Sequence, residues 1–327
     1  MEYRAVGQSG LRVSAVGLGC NNFGIFQDAA QARACIHRAL DVGITLFDMA
    51  SEHGAGREEE LVGAALGSRR KEVVLATKFG QPEMIGLDAE GCMTFATDSE
   101  RQGASRRWIM QSVEESLTRL KTDYIDLYQP HVVDEHVAPD ETMRALEDLV
   151  RQGKVRAIGL AATFAGVTEL EALQTAATAN GWTRFAAMQA NYNLLARDAE
   201  RALLPALTDR QMSLLPYWPL ANGLLSGKYR PGTVPAADSR LRKIPMVQGF
   251  YQEADWRKVE AIARFADTHG VPMAELAVAW LLTKPAVASV IAGASRPEQV
   301  TQNAGAADRR LDPAEVAELE TLLGELS

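Results

Sequence analysis

Three residues of complementary chemistry stand immediately after three short apolar runs. Asp48 follows Ile44-Thr45-Leu46-Phe47, Lys78 follows Val74-Leu75-Ala76-Thr77, and His131 follows Leu127-Tyr128-Gln129-Pro130. An acid, an ammonium and an imidazole brought to one place can polarise an oxygen and move a proton. Taken singly, each has a plainer explanation: Asp48 as a turn residue, Lys78 as a strand-end charge reaching for water, His131 as a hydrogen-bonded loop histidine. Their shared position at strand ends sets them apart. A second stretch, Ile291-Ala292-Gly293-Ala294-Ser295-Arg296-Pro297-Glu298-Gln299-Val300, has the makings of a phosphate site. Pro297 suits the first position of a helix, leaving free N–H groups directed at the preceding loop, and Arg296 adds a planar cation. By itself the stretch fits an ordinary capped surface helix equally well. Gly17-Leu18-Gly19-Cys20-Asn21-Asn22 lacks the third glycine of a dinucleotide fingerprint and reads as a tight strand exit.

The elements that must position these residues alternate along the chain. Short β-branched or apolar runs at 13–18, 45–47, 73–77, 125–129, 156–160, 187–189, 213–216 and 288–291 read as strands. Their lack of polar alternation predicts burial on both faces. Between them, 29–42, 58–68, 106–120, 139–152, 167–180, 197–209 and 253–270 carry apolar residues three and four apart and read as an outer ring of helices. Gly43, Gly153 and Gly270 with Pro272 mark helix ends. Local βα order repeated about eight times, with no composition break, predicts an α/β fold: a single-domain (β/α)8 TIM barrel over 1–327 with a C-terminal helix. Residues 3–6 and 12–14 around Ser9-Gly10 read as a β-hairpin closing the end opposite the site. Two long βα loops, 79–105 and 218–250, fall at the face where such barrels place function. Trp108, Trp218, Tyr251, Arg240 and Arg242 are candidates there to line a pocket, or to be surface packing.

Composition narrows the partners. The 327 residues carry 34 basic and 42 acidic side chains, a formal charge of −8, which leaves no electrostatic footprint for nucleic acid or an anionic membrane. Three cysteines, Cys20, Cys35 and Cys92, show no CxxC pairing, and no metal site is expected. The start, Met1-Glu2-Tyr3-Arg4, is charged, so the expectation is no secretory leader and a cytoplasmic protein. The apolar stretch 271–294 is broken by Glu275, Lys284 and Pro285 into a helix and a strand, too short to cross a membrane. The expected partner is a small molecule.

At the level of motifs the chain resembles the aldo-keto reductase family over nearly its whole length. Gly43-Ile44-Thr45-Leu46-Phe47-Asp48-Met49-Ala50-Ser51-Glu52-His53-Gly54-Ala55-Gly56-Arg57-Glu58-Glu59 is similar to the family's G-I-x-x-F-D-T-A-x-x-Y-G-x-G-x-S-E. Ala76-Thr77-Lys78, Ser116 to Leu120, Asp126 to His131, Gly153 to Gly159, Gln189 with Tyr192-Asn193, and Tyr217-Trp218-Pro219-Leu220 match as well. The resemblance implies a (β/α)8 barrel binding NADP(H), less often NAD(H), and interconverting a carbonyl and an alcohol. It assigns catalytic roles to Asp48, Lys78 and His131, with Lys78 and Asp48 ion-paired. It places Tyr217 on the nicotinamide and Gln189 on its carboxamide, with Trp218 and Leu220 beside them. Gly293, Ser295, Arg296, Gln299 and Asn303 become the adenosine-phosphate clamp, where Arg296 suits a 2′-phosphate.

The chain also departs from the pattern. His53 stands where the family has its catalytic tyrosine, Ala161-Ala162 replaces a nicotinamide-gripping Ser-Asn, and Met49 replaces a threonine. An imidazole reaches roughly 2 Å less far than a phenol, and a displacement of ~1 Å can cost ~10²-fold in rate. His53 therefore has two readings: a proton donor acting through a water or a shifted substrate, or a loop histidine without that role. Two functions follow, an NADP(H)-dependent carbonyl or alcohol oxidoreductase, and a reductase-like barrel with another role, as a lyase or a cofactor-sensing binding subunit.

Overall fold

A computed structural model describes residues 1–88, 92–96, 101–161, 166–232 and 245–326. The chain opens with an antiparallel hairpin, β1 (Tyr3–Ala5) and β2 (Arg12–Ser14). It continues through β3 (Val16–Gly19), β4 (Leu46–Asp48), β5 (Val74–Phe79), a small hairpin of β6 (Met84–Leu87) and β7 (Met93–Phe95), β8 (Ile125–Pro130), β9 (Val155–Leu160), β10 (Ala187–Asn191), β11 (Ser213–Tyr217) and β12 (Val290–Gly293). Eight of these form one parallel sheet in the order β12-β3-β4-β5-β8-β9-β10-β11. Leu214 N donates to Ala286 O at 2.7 Å and Ala288 N donates to Leu214 O at 3.0 Å, which brings the last two edges together into a nearly closed barrel.

Around it run α1 (Ala29–Asp41), α2 (Arg57–Leu66), α3 (Arg106–Leu120), α4 (Pro139–Arg151), α5 (Val167–Asn180), α6 (Leu203–Asp209), α7 (Pro245–Gln252), α8 (Trp256–Thr268), α9 (Met273–Leu282), α10 (Pro297–Ala306) and α11 (Pro313–Gly324). The architecture is the expected (β/α)8 barrel.

Strand alternation sorts the core into two parts. Inside the barrel, Val6, Val13, Leu46, Ala76, Leu127, Ala157, Ala187, Leu215, Ala288 and Ile291 form an apolar plug to which the hairpin contributes from below. Two residues further along the strands stand Asp48, Lys78, Gln129 and Gln189, so the period of two that buries the plug also lifts a polar layer to the mouth. The outward residues, among them Phe47, Leu75, Tyr128, Ile158 and Leu214, pack under the helices.

Two elements differ from the periodicity. The run at 13–18 divides at Ala15, because β2 belongs to the hairpin and β3 to the barrel; Ser14 bridges the break, its Oγ donating to Val16 O at 2.6 Å and accepting from Thr45 N at 2.9 Å. The helix expected over 197–209 begins at Leu203, after a short 3-10 turn at Asp198–Glu200. Pro205 lacks an N–H and is tolerated only in a helix's first turn, which fixes the start near that point.

Gly63 shows how closely α2 packs on α3. A Cβ there would lie 2.7 Å from the backbone of Arg119 and Leu120. Gly63→Ala is expected to lower stability by about 1–3 kcal/mol through this overlap, although alanine is the better helix former by about 1 kcal/mol. A urea midpoint equal to or above that of the wild type would refute the packing account.

Candidate active site at the barrel mouth

Strands β4 and β5 are neighbours, and their ends bring Asp48 and Lys78 together. Lys78 Nζ donates to Asp48 Oδ2 at 2.7 Å and to Met49 O at 2.8 Å, with both side chains more than nine-tenths buried. From across the barrel, Gln189 Nε2 donates to Asp48 Oδ1 at 2.6 Å, and more weakly to Gln129 Oε1 at 3.4 Å. Asp48 is thereby satisfied on both oxygens, as a buried carboxylate requires.

The segment after β4 turns back over this layer. Met49 N donates to Ala76 O and Ser51 N to Lys78 O, which ties the loop to β5. Gly54, Ala55 and Gly56 then take left-handed φ of 56°, 52° and 85° before α2 begins. Only glycine fits at 56, where a Cβ would meet Arg119 Cδ at 2.5 Å; Arg119 passes beneath to reach Glu59 Oε2 at 2.7 Å. This reversal folds the first turn of α2 against the loop. His53 Nδ1 lies 2.5 Å from Glu58 Oε2, with the Glu58 side chain fully buried and that of His53 21% exposed.

The third strand end supplies His131, whose N–H donates to Phe79 O at 2.7 Å. Its Nδ1 meets Glu52 Oε1 in a short contact, and Ser51 Oγ donates to the other oxygen of Glu52 at 3.3 Å. The His53 and His131 rings sit edge to face with centroids 6.2 Å apart. The mouth thus holds Asp48, Lys78, His131 and His53 together, and adds two carboxylates, Glu52 and Glu58, that the motifs did not single out. Glu58 was concealed in the run Glu58-Glu59-Glu60, which has an ordinary reading as charge complementing a helix N-terminus.

The charge states follow from these partners. Burial opposes charge on Glu52, but His131 beside it, through charge and hydrogen bond, and then His53 hold the carboxyl below the usual range. Burial pushes the His131 imidazole down, against the pull of Glu52. The pair is therefore best described as neutral His131 donating Nδ1–H to a Glu52 carboxylate. For His53 burial also pushes down, yet Glu58, by charge and hydrogen bond, and Glu52 more than offset it, so the imidazole is raised above its ordinary value. Burial raises the Glu58 carboxyl while His53 pulls it back, so the two groups compete for one proton along their contact.

The remaining residues flank this centre. Tyr217 ends β11 half-buried, its ring 5.3 Å from that of Trp218, which in turn lies 5.4 Å from Phe250. Trp218 adopts a left-handed φ of 52°, held by Asn193 Nδ2 donating to its carbonyl at 3.0 Å. Leu220 packs at the edge of the main core. Trp108, one of the pocket-lining candidates, is instead 4% exposed in the core beneath α3, and Tyr251 donates its hydroxyl to Arg230 O at 2.7 Å. Ala161 continues β9, its N–H donating to Pro130 O at 3.0 Å; Ala162, Arg240 and Arg242 lie outside the described residues.

Gly293, the last residue of β12, is exposed, and beyond it Pro297 opens α10 with Arg296 as the residue before it. The Arg296 side chain is 63% exposed, with only a 4.0 Å approach to Glu298. Ser295 donates N–H and hydroxyl to Gln299 Oε1 at 2.7 and 2.9 Å, and Asn303 Nδ2 donates to Gly293 O at 3.3 Å. Next to them Asn22 Oδ1 is buried without a hydrogen-bond partner while Asn22 Nδ2 reaches Ala294 O. A hydroxyl, a guanidinium, a carboxamide and the open first turn of a ten-residue helix form a donor set that fits a phosphate. Among the described residues there is no cluster of three or more metal-ligating side chains and no helix long and apolar enough to cross a membrane.

Eight parallel strands, a polar layer at their carboxyl ends and a helix N-terminus beyond the last strand define a barrel built for a small-molecule ligand at its mouth. The sequence profile described as the aldo/keto reductase family matches residues 15–323, and the chain belongs to that family, whose members are oxidoreductases that typically bind a nicotinamide cofactor. It is 32% identical over 338 residues to versiconal hemiacetal acetate reductase of Aspergillus parasiticus, covering 98% of this chain and 96% of the relative. It is likewise 32% identical to an Arabidopsis thaliana protein named "probable voltage-gated potassium channel subunit beta", covering 94% of this chain and 92% of that one. The solved holo form of an aldo-keto reductase from Bacillus halodurans superposes with a TM-score of 0.78 at 29% identity, covering 98% of this chain and 96% of that one.

Proposed function

We propose that the protein is an NADP(H)-dependent oxidoreductase that interconverts a carbonyl and an alcohol. The observation that carries this reading is the buried Asp48–Lys78 pair set beside His131 and His53 at one barrel mouth. The bound nicotinamide would supply or accept the hydride. The chain's own residues hold the rest of the chemistry. Asp48 and Lys78 fix an ammonium at the base of the site, and His131 and His53 contact the substrate oxygens. Tyr217, Trp218 and Leu220 would flank the ring and Gln189 would face its carboxamide. Gly293, Ser295, Arg296, Gln299 and Asn303 would hold the adenosine phosphates, with Arg296 on the 2′-phosphate. Cytoplasmic location and a small-molecule carbonyl or alcohol as partner belong to the same proposal.

The test is a titration of tryptophan fluorescence with NADPH and NADH, followed by an aldehyde and alcohol panel. Arg296→Ala is expected to weaken NADPH binding by about 1.5–2 kcal/mol, roughly ten- to thirtyfold, and to leave NADH nearly unchanged. Equal loss for both nucleotides would remove the 2′-phosphate assignment, and absence of binding by either would remove the oxidoreductase reading. The likeness to a potassium-channel subunit favours a second reading, a cofactor-sensing protein. NADPH binding without turnover of any substrate in the panel would select it.

A further inference from the structure

Asn193, two residues beyond β10 and 1% exposed, uses every hydrogen-bonding capacity of its side chain. Oδ1 accepts from the N–H groups of Leu195 at 2.9 Å and Ala196 at 3.0 Å, while Nδ2 donates to Asn191 Oδ1 at 3.1 Å and to Trp218 O at 3.0 Å. The orientation of the amide is dictated, since a backbone N–H only donates and a carbonyl only accepts. Its backbone is pinned as well: Asn193 N donates to Ala196 O at 3.1 Å and Ala196 N to Asn193 O at 3.2 Å. One buried side chain thus joins the loops that follow β10 and β11.

What it holds is a strained residue. Trp218 has a φ of 52°, a region sparsely populated by residues with a side chain, and Ala221 and Asn222 follow at 46° and 55°. These are three of the six left-handed non-glycine residues among the described ones; two of the others, Lys121 and Gln211, sit at helix ends, where that geometry is ordinary. The strain is therefore gathered in the loop after β11. An ordinary negative φ at 218 would re-aim the Cα–Cβ bond. The indole would then leave its edge-to-face contacts with Tyr217, at 5.3 Å and 87°, and with Phe250 of α7, at 5.4 Å and 70°.

We propose that Asn193 is a positioning residue for the cofactor: by holding the Trp218 carbonyl it keeps residue 218 left-handed, and so sets the rings of Tyr217, Trp218 and Phe250 as one wall against the nicotinamide half of the nucleotide. The inference rests on the cofactor part of the oxidoreductase reading above. Trp218 is the middle ring, and edge-to-face pairs depend on ring angle and separation, so the wall is lost as a unit when that ring turns. The Trp218 carbonyl also accepts from Ala221 N at 2.9 Å. That bond closes a turn within the same loop and moves with it. The bond from Asn193 ties residue 218 to a segment anchored on the neighbouring strand, and it is the one that can fix the loop against the barrel.

Urea midpoints of the full chain test the hold without any nucleotide. With Asn193 present, Trp218→Gly is expected to be more stable than Trp218→Ala, because glycine takes a φ of 52° without penalty. With Asn193→Ala added, residue 218 is free to leave that region and the order should reverse, since glycine then only adds freedom to the unfolded chain. Alanine at 218 equal to or better than glycine with Asn193 in place overturns the proposal, and this comparison stands even if Asn193→Ala fails to fold. So does a glycine advantage that survives Asn193→Ala. Calorimetric titration then reads the wall. Asn193→Ala is expected to weaken NADPH about tenfold and to leave adenosine 2′,5′-bisphosphate, which has the phosphates and no nicotinamide, within about twofold. Equal loss for both ligands, the mark of a general loosening, overturns the positioning role, as does undiminished NADPH binding. Wild-type protein that binds no NADPH at all marks failure of the oxidoreductase reading instead.

Discussion

Lys78→Met is expected to lower stability by about 3–5 kcal/mol and to reduce turnover by roughly 10²–10⁴-fold. The size of the first effect comes from what remains. Asp48 would keep one hydrogen bond, from Gln189 at 2.6 Å, and lose the ammonium that neutralises it, in a position 7% exposed. A buried carboxylate without its counter-charge costs far more than an exposed ion pair contributes. The second effect comes from the loss of the ammonium proposed to sit at the base of the site, where negative charge would develop on the substrate oxygen. Combining Lys78→Met with Asp48→Leu separates the two. Removing both charges is expected to restore most of the urea midpoint and none of the turnover. A double variant no more stable than the single one would show that the pair is not the source of the loss. Turnover surviving in the single variant would take Lys78 out of the mechanism.

The pair of His53 and Glu58 adds a pH dependence of a definite sign. A histidine raised in the folded state contributes stability that is fully present below about pH 6.5 and is lost as pH rises through the folded midpoint. The urea-midpoint advantage of the wild type over Glu58→Gln should therefore shrink as pH rises above about 6.5. A gap that widened over that range would contradict the raised imidazole.

Much of the barrel was legible because its strands are covered on both faces and so appear as short apolar runs without alternation. The ends of those runs located Asp48, Lys78 and His131, since a strand fixes the direction of its last side chain. The helix expected over 197–209 extends too far toward the N-terminus because apolar spacing continues through 198–202, while the start imposed by Pro205 is local chemistry that periodicity does not weigh. From its place near a long loop Trp108 is a candidate for pocket lining or surface packing, and it is neither. Its spacing from Ile109, Ser112, Val113 and Ser116 puts it on the buried face of α3, which was readable from the same sequence. Glu52 and Glu58 were not readable in the same way. Their pairing with the imidazoles depends on the left-handed turn at 54–56 and on where β8 delivers His131, and both are properties of the folded chain.

The strand that delivers His131 depends in turn on a carboxylate far from the mouth. Asp126, on the outer side of β8 and 1% exposed, accepts from Arg70 Nη2 at 2.8 Å, from Arg156 Nη1 at 3.0 Å and from the N–H of Leu75 at 3.0 Å. The two guanidinium groups lie 4.3 and 3.9 Å from the centroid of the Tyr124 ring. Asp126→Ala is expected to lower stability by about 3–5 kcal/mol, because Arg70, itself 9% exposed, loses its only carboxylate among the described contacts and the Leu75 N–H loses its acceptor. Arg156→Ala should cost no more than about 1 kcal/mol, since that side chain is 54% exposed and water can replace it. The contrast identifies burial, and not the count of ion pairs, as the source of the effect. Asp126→Asn keeps one acceptor oxygen and should fall between the two. Equal urea midpoints for Asp126→Ala and Arg156→Ala would show that β8 is held by its ladder and its apolar neighbours alone, and would leave the position of His131 independent of this outer cluster.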